Sequence, residues 1–200
     1  MMRRFALALL AVPMALLLAV VPVAADTGPG GSGTYFFSDS TNCSTSSGRQ
    51  VCTDTNISVN PNGDGTSSAC LDIFTFSVSS TGRFTFVSDQ FGCALAGAMT
   101  VGSDYSVTLA STDISLETCK AHKRTCSGST TVNVSASDSA VGDIVTSTTR
   151  STTVVGNCTY KTTTKETDTN LVGTLTVDGT SLDEQGFLSV VKQTFTVRCK

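Results

Sequence analysis

Eight cysteines behind a short apolar N-terminus constrain this chain more than anything else in it: Cys43, Cys52, Cys70, Cys93, Cys119, Cys126, Cys158 and Cys199. An even set of cysteines after an export signal is the pattern of a disulfide framework in an oxidising compartment. Residues 1–25 have the three parts of such a signal. Arg3 and Arg4 give a basic start, Phe5 to Val21 is nearly all Ala, Leu and Val, and Val23-Ala24-Ala25 supplies small residues for cleavage. The apolar run is broken by Pro13 and is short for a membrane span. These residues predict a secreted, extracellular protein with no membrane span once the signal is removed.

Cleavage after Ala25 leaves 11 Lys and Arg against 16 Asp and Glu, a net charge of −5. That balance argues against a nucleic-acid surface, which needs a basic excess. Residues 26–34 form a Gly-rich leader, and from Tyr35 onward Thr, Ser and Val dominate without helical periodicity. β-branched residues pack well on a pleated sheet and resist helix formation. The expected fold is therefore all-β: an antiparallel β-sandwich, as one or two small sandwich domains stapled by disulfides. A weak internal repeat places the division between halves at 35–120 and 125–200, with Cys52, Cys70 and Cys119 matching Cys126, Cys158 and Cys199.

Turn chemistry fixes two hairpins. Pairing Ser79 with Arg83 sets Val78 opposite Phe84 and Phe76 opposite Phe86, and it leaves a three-residue loop with Gly82 in a left-handed conformation. Asp178-Gly179 is a type I′ signal that pairs Val177 with Thr180 and Leu175 with Leu182. Other strands are expected at Gln50–Val59, Leu95–Val101, Tyr105–Glu117, Thr130–Ser137, Ile144–Val155 and Cys158–Thr167, and Gly186 is expected to open a last one. Eight cysteines allow 105 pairings. The reading favoured is chain order: Cys43–Cys52, Cys70–Cys93, Cys119–Cys126 and Cys158–Cys199. The repeat would instead join Cys70 to Cys119.

Little points to catalysis. The single histidine, His122, sits between Lys and Arg neighbours that disfavour its protonation, and no GxSxG nucleophile motif occurs. No CxxC pair is present and one His does not complete a usual zinc site, so no metal or other cofactor is expected. Asn60 to Gly65 has the oxygen spacing of a calcium loop, but its twelfth position is Leu71 rather than an acid. The expected role is a non-catalytic binding or structural module for an extracellular protein or surface ligand.

The sharpest candidate for contact is the basic stretch Lys120, His122, Lys123 and Arg124 between Cys119 and Cys126. In size this loop resembles the disulfide-closed reactive loop of Bowman–Birk-type protease inhibitors, without the prolines that stiffen those loops. The resemblance implies a protease inhibitor presenting Lys120–Thr125. A third expectation is a secreted hydrolase working through paired carboxylates.

Overall fold

A computed structural model describes residues 32–46, 48–120 and 126–200. The signal and most of the leader lie outside the described residues, as do His122, Lys123 and Arg124. Nine strands are present among those described: β1 Gly33–Ser46, β2 Arg49–Pro61, β3 Ser67–Ser79, β4 Phe84–Leu95, β5 Met99–Val101, β6 Val107–Lys120, β7 Cys126–Val155, β8 Cys158–Val177 and β9 Thr180–Cys199. All pairings are antiparallel, so the protein is all-β as the sequence predicts.

The strands join into one sheet in the order β4-β3-β2-β1-β9-β8-β7-β6-β5, and a further pairing of β4 with β6 closes it into a ring. Consecutive strands pair with one another except β4 and β5, which both pair with β6, the short β5 continuing the line of β4 along it. Strands from 33–120 and from 126–200 meet at two seams, β6–β7 and β1–β9. One buried cluster draws on both stretches, from Phe36, Ile57 and Leu71 to Val134, Leu175 and Leu188. Leu, Ile and Val dominate the interior, with Phe36 its one fully buried aromatic among the described residues. Among the described residues no helix is long and apolar enough to cross a membrane.

The four bridges follow chain order. Each joins two residues directly opposite in register, with Cα atoms 4.0 to 4.2 Å apart. Such closeness marks narrow, non-hydrogen-bonded pairs, where side chains approach most nearly. Every bridge therefore staples one hairpin: β1–β2, β3–β4, β6–β7 and β8–β9. The three-plus-three cysteine match of the repeat does not describe these bonds, because Cys70 pairs with Cys93 across its own hairpin and Cys119 pairs with Cys126.

Both predicted hairpins form in the predicted register. Val78 faces Phe84, Phe76 faces Phe86, and Gly82 has φ +78°. Val177 faces Thr180 through Asp178 and Gly179, whose φ values are 47° and 76°. Three strand readings need correction. Thr130–Ser137 and Ile144–Val155 are one strand, β7, whose pairing with β8 shifts register between Val141 and Val145. Leu95–Val101 is divided between β4 and β5. Gly186 lies inside β9 rather than at its start, where the β1 backbone at Phe37 comes too close for a side chain.

Beyond the ring, β7, β8 and β9 run on as a three-stranded arm. β6 leaves β7 at Asp138 and β1 leaves β9 at Val191, while β7–β8–β9 pairing continues to Val155, Cys158 and Cys199. The Cys158–Cys199 bridge closes the far end of the arm.

Candidate functional site

Side chains alternate across a strand, so the inward set defines the outward one. In β1 to β3 the inward residues are Phe36, Ser38 and Ser40, then Thr55, Ile57 and Val59, then Ala69 and Leu71, all buried. The residues between them face out and line up across the four strands. One row reads Asp39, Asn56, Asp72, Phe91, and the next Thr41, Asp54, Phe74, Asp89. Beyond these come Cys43, Cys52, Phe76, Phe86 and then Thr45, Gln50, Val78, Phe84.

A bulge makes the aromatic part of this face possible. Thr75 pairs with Ser88 but Phe76 pairs with Phe86, leaving Val87 as an extra residue on β4. One extra residue shifts the alternation, and the outward set of β4 changes from odd to even positions. Phe84 and Phe86 thereby share a face with Phe74 and Phe76. The rings pack on one another, with centroids 5.2 Å apart for Phe74–Phe86 and 5.1 Å for Phe76–Phe84. Phe84 remains 55% exposed and Phe91 49%. Of the nine phenylalanines among the described residues only Phe36 is buried, so most of the large aromatic surface lies outside the core.

Beside the rings runs an acidic stripe: Asp39 on β1, Asp54 on β2, Asp72 on β3 and Asp89 on β4. Each is the diagonal neighbour of the next, within interaction range across a sheet. Burial, then the Asp89 and Asp54 carboxyls, push Asp72 up to about 6. Burial and then Asp54 raise Asp39. Thr41 Oγ1 donates to Asp54 Oδ1 at 2.8 Å, whereas Asp72 Oδ1 and Asp89 Oδ1 are covered and receive no hydrogen bond. At neutral pH Asp72 is mostly ionised, so repulsion along the stripe persists.

A second acidic feature lies inside the ring. Asp138 on β7 and Glu184 on β9 flank Gly173 of β8 in one inward row and are 3% and 4% exposed. None of their four oxygens receives a hydrogen bond from a fixed donor. The Ser38 and Ser40 hydroxyls next to them donate to the Gln185 and Asp183 carbonyls, at 3.2 and 2.6 Å. Two carboxyls side by side and out of water favour a single proton held between them over two charges. Burial first, and the adjoining Asp138 second, push Glu184 up to about 8, offset in part by the Ser38 hydroxyl. Burial also raises Asp138.

Gly173 makes this pair possible, because a Cβ there would overlap Asp138 Oδ1 and the Ser137 carbonyl. The obstruction is partly backbone and is not relieved by a rotamer change. Gly173→Ala is expected to cost about 3 kcal/mol or more, read as a lower urea midpoint with a similar m-value. An unchanged midpoint would show that the strand yields there.

The other sequence candidates fall elsewhere. Lys120 closes β6 opposite Ser88 of β4, and the Cys119–Cys126 bridge that encloses the basic loop forms. At the Asn60–Gly65 turn, Asp64 Oδ1 accepts from Thr66 N and Thr66 Oγ1, and Asn62 Oδ1 accepts from Ser68 Oγ, so these oxygens serve the turn itself. No group of three or more His, Cys, Asp or Glu suited to a metal occurs among the described residues. An open cleft of about 740 Å³, lined by Asp39, Thr41, Asp183 and Gln185 among others, adjoins the acidic stripe where β1 and β9 part.

Sequence reasoning found the Phe hairpin but neither carboxyl group. Its one missed signal was the regular spacing of Asp39, Asp54, Asp72 and Asp89, one to each strand of a meander. Comparison with known protein families, curated proteins and solved structures finds no match for this chain.

Proposed function

We propose that this protein is an exported, non-catalytic binding module that engages an extracellular protein or surface ligand through the outer face of β1–β4. The observation that carries this reading is the outward quartet Phe74, Phe76, Phe84 and Phe86, packed ring on ring beside the acidic stripe. Contiguous exposed apolar surface rimmed by polar groups is characteristic of interaction sites, and buried aromatic anchors supply much of the energy at interfaces. Four disulfides fit an oxidising compartment outside the cell. The Asp138–Glu184 pair does not favour hydrolysis. Glycosidase carboxyls both face a substrate or water from roughly 5 to 9.5 Å apart, whereas Asp138 and Glu184 are buried side by side in one inward row.

The test is a random peptide library displayed on phage and selected against the oxidised protein. Selected peptides are expected to lose most of their binding to the Phe76→Ser/Phe84→Ser variant. Both positions lie on the outer face, so the variant should keep the native far-ultraviolet circular dichroism and a cooperative unfolding transition at a somewhat lower midpoint. Peptides that bind wild type and variant equally would remove the reading.

A further inference from the structure

We infer that the segment this face receives is an extended cationic peptide, with a lysine or arginine over the Asp39–Asp54–Asp72–Asp89 stripe and apolar side chains over the phenylalanines. The inference rests on the binding reading of the β1–β4 face and adds the chemistry of its partner.

The argument begins with charge. Four carboxyls occupy consecutive strands in diagonal contact, and no lysine or arginine hydrogen bonds any of them among the described residues. Arg49, at the end of β2, donates instead to Ser77 Oγ at 2.6 Å, on the inward side of β3. Arg83 sits at the β3–β4 turn, one residue beyond the glycine. A neutral or acidic partner covering this surface would bury the carboxylates unpaired, which is costly. A cationic partner would relieve their mutual repulsion and pair them.

The second step is spacing. Successive outward rows stand two residues apart along each strand, about 6.5 to 7 Å. The acidic stripe occupies two adjacent rows. Phe74 lies in the second of these, Phe76 and Phe86 in the next, and Phe84 in the one after. An extended peptide repeats its own side chains at the same interval on one face. A basic residue at one position and apolar residues two and four places further on would therefore meet the stripe and the rings together. A basic side chain there also lies within reach of the Phe74 ring, where cation–π attraction adds to the ion pair.

Fluorescence anisotropy with short labelled peptides on the oxidised protein tests this. The first peptide alternates Ser with the facing series Lys, Leu, Leu. The comparators replace Lys by Glu, Lys by Ser, or both Leu by Ser. The Lys–Leu peptide is expected to bind about tenfold tighter than each comparator, with an affinity that falls as salt rises. Asp72→Asn/Asp89→Asn is expected to lose about tenfold for that peptide, while its urea midpoint holds or rises because repulsion has been removed.

Equal binding of the Ser-for-Lys peptide, or an unchanged affinity in the Asn variant, would overturn the charge assignment and leave the face as a purely apolar site. Equal binding of the Ser-for-Leu peptide would overturn the role of the phenylalanines, and with it the proposed face. Failure of every designed peptide, with phage-selected peptides still bound in a Phe76- and Phe84-dependent way, would overturn this inference alone.

Discussion

Reduction of the four disulfides is expected to unfold this protein without denaturant. The chain-entropy account gives each bridge a value set by the loop it closes. The separations are 9, 23, 7 and 41 residues. They correspond to about 2.6, 3.4, 2.4 and 3.9 kcal/mol at room temperature. Taken together these are comparable with the entire stability of an ordinary domain, about 5 to 15 kcal/mol. The core is ill-equipped to make up the loss. Its large buried side chains are Leu, Ile and Val with Phe36 the one aromatic, while the other phenylalanines lie on outer faces or are only half-buried. The unstapled seams β2–β3, β4–β6, β5–β6, β7–β8 and β1–β9 are held by backbone pairing, scattered side-chain hydrogen bonds and that core. Circular dichroism in excess dithiothreitol should show loss of the β signal, with recovery on reoxidation. Replacing Cys70 and Cys93 by Ser should lower the urea midpoint more than replacing Cys119 and Cys126. A fully reduced protein that kept a cooperative urea transition near the oxidised midpoint would refute this account.

The same bridges show what the sequence made legible. In a meander each cysteine's partner sits on the next strand, so pairing in chain order was recoverable from local spacing. The two hairpins were recoverable for a similar reason. Gly82 and Asp178-Gly179 dictate loop length, and loop length dictates register. Ring closure was not legible, because β4–β6 and β1–β9 pairing depends on contacts between segments far apart, and β1 and β9 are separated by most of the chain.

The side of the sheet taken by the phenylalanines was hidden too. Period-two alternation shows that Phe74, Phe76 and Val78 share a face, and it shows equally that Ala69, Leu71 and Ile73 do. Both sets are apolar, and nothing local says which faces inward. The structure buries the smaller set and leaves the larger rings outside. Asp138 and Glu184 were invisible because they meet only when β7 and β9 flank Gly173.

That buried pair predicts an unusual pH dependence: the protein is expected to be most stable in mild acid and to weaken toward alkaline pH. Glu184 titrates near 4.5 when solvated and at about 8 in the folded protein. Between those values the unfolded chain releases the proton and the folded chain keeps it. The folded state then binds more protons than the unfolded state, so unfolding free energy falls as pH rises, by about 1.4 kcal/mol per pH unit for one such group. The stabilisation is complete below 4.5, declines across the window, and is spent once pH passes about 8.

Asp138 is shifted in the same direction from 3.8 and acts with the same sign. Asp72, raised from 3.8 to about 6, adds to the trend in its lower part, with solvent screening because it is only half-buried. Urea midpoints at pH 5, 6, 7, 8 and 9 should therefore fall steadily to pH 8 and then level off. Glu184→Gln isolates the cause. Its amide still donates to Asp138 and has no proton to lose, so its midpoint should vary far less between pH 6 and 8. At pH 8 it should exceed the wild type by on the order of 3 kcal/mol. A wild-type midpoint that rises from pH 5 to 8, or a Gln variant with the wild-type slope, would mean that the carboxyls do not hold a proton between them.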